Sequence, residues 1–228
     1  MLRDTYASNI ALYADSALTE GVDYARRYRR HATIPVPDTV VLAVHGGGIE
    51  PGTSELCLAV AGYHPATGAA RPEDGPAYDY WMFEGLRATD NTVLHVTATR
   101  CDDPVAVALT AGAGRAVSLH GCTPHQARLA DGTEAVLVGG LDTVLKERLL
   151  TGFAAAGIEA HDATAVPALS GDDPANIVNR TRTGAGAQLE LTTPLRALMF
   201  GNNTRARRRH TTEAIFWTFV GAVRTALR

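Results

Sequence analysis

Cysteine is scarce in this sequence. Cys57, Cys101 and Cys122 are odd in number, far apart, and form no C-x-x-C pair, which argues against a disulfide framework and a cysteine-built zinc knuckle. No apolar run approaches the ~18 residues that span a bilayer, so no membrane partner is expected. No sign of charge dominates: the 228 residues carry a formal net charge of −3 and 20% of them are charged. That balance is unlike a protein built to coat nucleic acid. The N-terminus is interrupted by Asp4 and Asp15 and holds no long apolar core. No secretory signal is read there, and a cytoplasmic protein, or one released without a standard signal, is expected. Internal repeats and long linkers are missing as well. What is present is a 46% hydrophobic content, ample for a sizeable core. At this length one domain over residues 1–228, as a monomer, is expected.

TVVLAV at 39–44 is the clearest strand: continuous, apolar and β-branched, as a strand buried on both faces must be. It ends in His45-Gly46-Gly47-Gly48, and after Pro51-Gly52 either Thr53 or Ser54 can cap a helix through LCLAVAG. This strand–loop–helix unit marks an α/β protein. Further strands are expected at 78–83, 92–97, 115–120, 134–140, 158–163 and 187–192. Helices are expected at 103–112, capped by Asp103 with Pro104 in the first turn, and at 141–157, amphipathic and closed by Gly157. Two more are expected at 194–200 and 212–227. The basic, aromatic segment 21–32 suits an edge strand, followed by a break at PVPDT, 35–39. The residues before it form a short helix or an ordered arm, and 164–187 reads as loop. The sum is a single three-layer α/β/α domain with a mixed sheet.

His45 falls at the carboxyl end of a buried strand, where α/β proteins place ligands, and Glu50 returns five residues later. A histidine and a glutamate so spaced can face one metal ion. Catalytic zinc commonly takes three protein ligands and leaves one position for water. His120 closes RAVSLH as His45 closes TVVLAV, each followed by glycine, so the two strand ends can be sheet neighbours. Glu190 lies in QLELT on the face opposite Leu189 and Leu191. A strand carboxylate flanked by leucines is costly without a partner, and one placed there can take a proton from water and return it to a leaving amine.

Several competing readings are weaker. HGGG also builds oxyanion holes in esterases, but those need a G-x-S-x-G elbow, and Ser54, Ser118 and Ser170 all sit in other contexts. The Lys-Ser/Thr of a P-loop and the GxGxxG pattern are missing too. His95, apolar-flanked in LHVTAT, reads as a buried, hydrogen-bonded histidine with a part in orienting a metal ligand or substrate. Asp102 and Asp103 read as helix caps, Glu55 as a first-turn carboxylate, and Cys101 and Cys122 as reduced structural thiols. The Tyr78, Tyr80, Trp81 and Phe83 cluster reads as core or sheet edge. The arginines between 205 and 209 form a solvated basic loop without the interleaved aromatics of a nucleic-acid site.

Taken in order, HGGGIEPGTSE, LHVTATRCDDP, SLHG, NRT and a late QLE strand resemble the phage and bacillar poly-γ-glutamate hydrolases over roughly residues 20–225. The resemblance implies a zinc-dependent enzyme of carboxypeptidase-like α/β/α fold. It implies zinc on His45, Glu50 and His120, Glu190 as the catalytic glutamate, and endo-type hydrolysis of γ-glutamyl amide bonds in an anionic polymer. Asn179-Arg180 matches the Asn-Arg pair with which zinc carboxypeptidases bind a substrate carboxylate. With Arg182, these are the expected substrate-binding residues, because guanidinium grips carboxylate bidentately. Arg205, Arg207, Arg208 and Arg209 would add positive surface for the polymer. Two other readings stand beside this one: a zinc amidase acting on another acidic γ-linked peptide, and a non-catalytic binder of anionic polymer.

Overall fold

The β-branched and apolar stretches of the chain pair into one mixed sheet. Its strands are β1 (Tyr24–Arg29), β2 (Thr39–Gly47), β3 (Asp79–Gly85), β4 (Arg115–Cys122), β5 (Ala135–Gly140), β6 (Glu159–Asp162) and β7 (Ala187–Thr192), in the spatial order β1-β3-β2-β4-β7-β5-β6. The computed structural model describes residues 4–31 and 38–228, and Pro35–Pro37 of the expected break lie outside them. The four central strands β3, β2, β4 and β7 run parallel; β1 pairs antiparallel with β3 and β5 antiparallel with β7, while β6 runs parallel to β5.

Alternation of side chains divides the core in two. Val41, Ala43, Val117, Leu119, Leu189 and Leu191 point to one face, packed under the helices α2 (Thr53–Val60), α4 (Thr143–Ala155) and α6 (Ala214–Ala226). Val40, Leu42, Trp81, Phe83 and Ala116 point to the other, under α1 (Asn9–Tyr13) and α3 (Pro104–Gly112). The result is the expected three-layer α/β arrangement. Every residue of β2 is buried, as its unbroken apolar run requires. Asp103 caps α3 by accepting from the amides of Val105 and Ala106, and β1 lies at one edge of the sheet, with β6 at the other.

Two local expectations are corrected. The segment 92–97 is not a strand: a tight 3₁₀ turn spans Asn91–Leu94, entered through Asp90 in the left-handed region at φ 57°. Both edges of β2 are already taken by β3 and β4, so this apolar segment has no free edge to join. It buries Leu94 and Val96 against the second core face and brings His95 over His45. Helix α2 is also capped differently, by Gly52 rather than by Thr53 or Ser54. Both hydroxyls fall inside the first turn and pin the glycine loop instead. Thr53 Oγ1 donates to the Glu50 carbonyl at 2.9 Å, and Ser54 Oγ accepts from the Gly47 amide at 2.9 Å.

Candidate active site

The site forms where β2, β4 and β7 end together. In β2 the ladder to β3 shifts register between Ala43 and Gly46. His45 lies in that irregularity, and bulges of this kind re-aim side chains beside functional sites. The Glu50 amide donates to the His45 carbonyl at 2.9 Å and closes the loop between them. The Glu50 carboxylate then joins two strand ends. Its Oε1 lies 3.0 Å from His45 Nδ1, and its Oε2 accepts from the Gly121 amide at 2.8 Å. The same Oε2 is 3.8 Å from His120 Nδ1. The His45 and His120 rings meet edge-on with centroids 5.0 Å apart. His120 and Glu190 are register partners on β4 and β7, so they share one sheet face. Glu190 Oε1 accepts from Gln188 Nε2 at 2.9 Å.

Burial shapes the charges here. It pushes His120 down to about 3, and the neighbouring imidazoles add to that against the pull of Glu50. His120 is therefore neutral, and its buried Nε2 has no hydrogen-bond partner among the described residues. An orphaned imidazole nitrogen is costly unless something else meets it. Burial also opposes charge on His45, but the Glu50 carboxylate outweighs it and raises His45 above the usual histidine value. Burial opposes ionisation of Glu50 as well, yet His45 and its hydrogen bond hold that carboxyl down at about 2. Glu190 is raised well above the ordinary carboxyl range by burial and then by the Glu50 charge.

His45, Glu50, His95, His120, Glu190 and Arg196 all line one cleft of about 1230 Å³. Ligand atoms of His45, Glu50 and His95 lie within 4.8 Å of one another and form a set able to hold a metal ion. The unpartnered His120 Nε2 offers a further nitrogen beside them. Imidazole and carboxylate donors of this kind suit a borderline cation such as zinc.

Arg196 was not a candidate in the sequence, where it is one basic residue inside the apolar run PLRALMF. It lies in the short helix α5 (Thr193–Leu198) with its side chain buried. Its guanidinium donates to the carbonyls of Leu191 at 3.1 Å and Pro51 at 2.9 Å, and reaches that of Cys122 at 3.5 Å. It thus ties together the three segments that carry Glu190, Glu50 and His120. Gly121 leaves room for it, since a Cβ there would fall on the Arg196 guanidinium carbon. Gly121→Ala is expected to lower stability by about 1–3 kcal/mol through this overpacking, read by denaturant unfolding.

The structure does not bring Asn179, Arg180 and Arg182 to the cleft. Asn179 is buried, with its amide bonded to the carbonyls of Gly171 and Asp173 and to the amides of Leu141 and Gly186. Arg180 spends its donors on the carbonyls of Cys101, Thr99 and Ala175. Arg182 pairs with Asp38 and the Gly112 carbonyl. All three hold loops together. In the basic run, Arg205, Arg207 and Arg209 are exposed, whereas Arg208 is buried and donates to the Gly47 carbonyl at 3.1 Å. The three thiols are buried and unpaired, and burial pushes Cys101 and Cys122 up to about 12.

Fold and site together define an α/β protein with a buried histidine–glutamate cluster, suited to a metal ion, at the carboxyl ends of its central strands. The chain belongs to the poly-gamma-glutamate hydrolase family, whose sequence profile matches residues 10–222. The UPF0714 protein YndL of Bacillus subtilis (strain 168) is 33% identical over 180 residues, covering 79% of this chain and 63% of YndL. The SPbeta prophage-derived UPF0714 protein YoqZ of the same organism is 32% identical over 184 residues, covering 81% of this chain and 60% of YoqZ. The matched region thus spans about three fifths of either relative. A solved bacteriophage poly-gamma-glutamate hydrolase is similar with a TM-score of 0.81 at 33% identity, covering 98% of this chain and 96% of that one. A zinc-free form of YndL gives a TM-score of 0.81 at 30% identity, covering 99% and 98%.

Proposed function

We propose that this chain is a zinc-dependent amide hydrolase that cleaves γ-glutamyl linkages within poly-γ-glutamate. One observation carries the proposal: Glu50 bridges His45 and the end of β4 while the buried His120 Nε2 stands unpartnered beside it, with Glu190 on the same face. In this reading His45, Glu50 and His120 hold the zinc. Membership of the poly-gamma-glutamate hydrolase family and the likeness to the bacteriophage enzyme support the substrate. That YndL has been solved in a form distinguished as zinc-free supports the metal.

The ion, when bound, supplies Lewis acidity toward the amide carbonyl and toward water. The protein's own groups do the rest. Glu190 takes the proton of the attacking water and passes it to the α-amine that leaves, so one proton is accepted and one returned. A cation beside Glu190 favours its charged form, opposing the burial that raises it in the metal-free chain. Gln188 steadies the carboxylate through Oε1. Arg100, exposed at the cleft, presents its guanidinium to the carboxylate that each γ-linked unit carries, while Arg196, whose donors go to the protein's own carbonyls, adds only its charge from beneath. The cleft, about 1230 Å³, is larger than a pocket for one small molecule, typically about 300–1,000 Å³. That size suits several linked units and cleavage inside the chain.

Polymer size over time tests this. Incubation with poly-γ-glutamate is expected to give oligomers early, before free glutamate accumulates. Free glutamate from the first minutes would contradict internal cleavage. An unshortened polymer, with turnover of another γ-linked acidic peptide, would replace the substrate.

A further inference from the structure

One buried acid in the cleft plays no part in the scheme above. Asp4 lies ahead of α1, yet its side chain is only 2% exposed and it lines the same cleft as the cluster. Its Oδ1 is 2.8 Å from His95 Nδ1, and its Oδ2 accepts from the Thr97 amide at 3.0 Å. Arg100 Nη1 approaches Oδ2 at 3.5 Å. The ring held in this way lies face to face on His45, with centroids 3.9 Å apart and planes 27° from parallel.

Elementary hydrogen-bond chemistry fixes the rest. An ionised carboxylate only accepts, so a neutral His95 bonded to Asp4 carries its proton on Nδ1. Nε2 is then the nitrogen with a free lone pair, and a donor atom of His95 lies within 4.8 Å of those of His45 and Glu50. The Thr97 amide and Arg100 hold the carboxylate from its other oxygen, so the ring cannot swing without breaking a buried bond. The arm that carries Asp4 is itself tied down: the Ile10 amide donates to Asp102 at 2.9 Å, and Tyr13 Oη donates to Asp103 at 3.0 Å.

We propose that Asp4 is a positioning residue of the active centre, which fixes His95 in its Nδ1–H form and holds Nε2 toward His45 and Glu50. The N-terminal arm is then part of the site rather than a strap outside it. The inference rests on the reading of this cleft as a zinc hydrolase centre. Carboxylates bonded to metal-ligating histidines change metal affinity by about 10–100-fold when removed, and Asp4 acts one step further out, through the ring of His95 stacked on the ligand His45.

The test compares the wild type, Asp4→Ala and Tyr13→Phe, the last of which loosens the arm through Asp103 without touching His95. Long-range proton–nitrogen correlation spectra of the metal-free proteins report the His95 tautomer, and competition with a chromogenic chelator reports zinc affinity. The wild type is expected to show Nδ1–H. Asp4→Ala is expected to show a mixture with Nε2–H and zinc affinity lower by about 10-fold, the low end of the range for partners of ligating histidines. Tyr13→Phe is expected to keep both values. In a His95→Gln background, Asp4→Ala is expected to lower zinc affinity no further. Asp4→Asn, which keeps the residue's shape, serves if the alanine variant does not fold, and its zinc affinity is expected to fall in the same direction. An unchanged tautomer in Asp4→Ala, zinc affinity within twofold of wild type, or an equal effect of Tyr13→Phe would overturn the proposal. If the wild type binds no zinc, the zinc reading fails separately, and the tautomers still decide the role of Asp4.

Discussion

Glu190→Gln is expected to lower kcat on poly-γ-glutamate by about 10²–10⁴-fold, the range general acid–base groups supply, while bound zinc stays near the wild-type level. The substitution keeps the shape of the side chain and an oxygen to accept from Gln188 Nε2, so the site survives and only the proton carrier is lost. Stability separates this from a folding defect. Burial raises Glu190 well above its ordinary value in the metal-free chain. A carboxyl raised on folding binds more protons folded than unfolded, so the stability it contributes is present below its unfolded pKa and is lost as pH rises toward the folded one. The neutral glutamine has no such loss. Metal-free Glu190→Gln is therefore expected to melt at or above the wild-type temperature at neutral pH. Near-normal turnover in this variant would remove Glu190 from the role.

His120→Ala is expected to lower zinc affinity by more than about 100-fold, beyond the loss usual for an orienting partner, and to remove activity at micromolar zinc. The metal-free variant should change little in stability. Truncation opens a cavity but also removes a buried nitrogen that has no partner among the described residues. What disappears is the stabilisation that zinc gives, about 2.7 kcal/mol when free zinc exceeds its dissociation constant a hundredfold. Melting curves with and without zinc read this directly. The outcome also decides between two sets of groups. If His45, Glu50 and His95 held the ion without His120, His120→Ala would keep zinc and its thermal shift.

Much of this frame was legible in the sequence because its signals are local. The β-branched run of β2, the Asp103-Pro104 start of α3 and the Leu189-Glu190-Leu191 alternation of β7 each fix an element from a few neighbouring residues. His45, Glu50, His120 and Glu190 could be placed at strand ends or on a strand face for the same reason. What was not legible depends on contacts across the chain. Asp4 and His95 are 91 residues apart, and Arg196 reaches Pro51 across 145. No periodicity encodes such pairs. The segment around His95 misled because Val93, Leu94 and Val96 have strand character, yet no strand edge is free beside β2. Asn179-Arg180 misled in the opposite way. Its residue types suit a carboxylate, but its donors are consumed by backbone carbonyls: those of Gly171 and Asp173 for Asn179, and those of Thr99 and Cys101 for Arg180.

The most direct test of the central claim is zinc content by elemental analysis, paired with the size of poly-γ-glutamate treated with the purified, chelated and zinc-restored protein. The account predicts about one zinc per chain, shortening of the polymer, loss of that shortening on chelation, and its return with zinc. A chain that holds no zinc and leaves the polymer intact after zinc is added back would contradict it, and would make the histidine–glutamate cluster a structural feature of the strand ends.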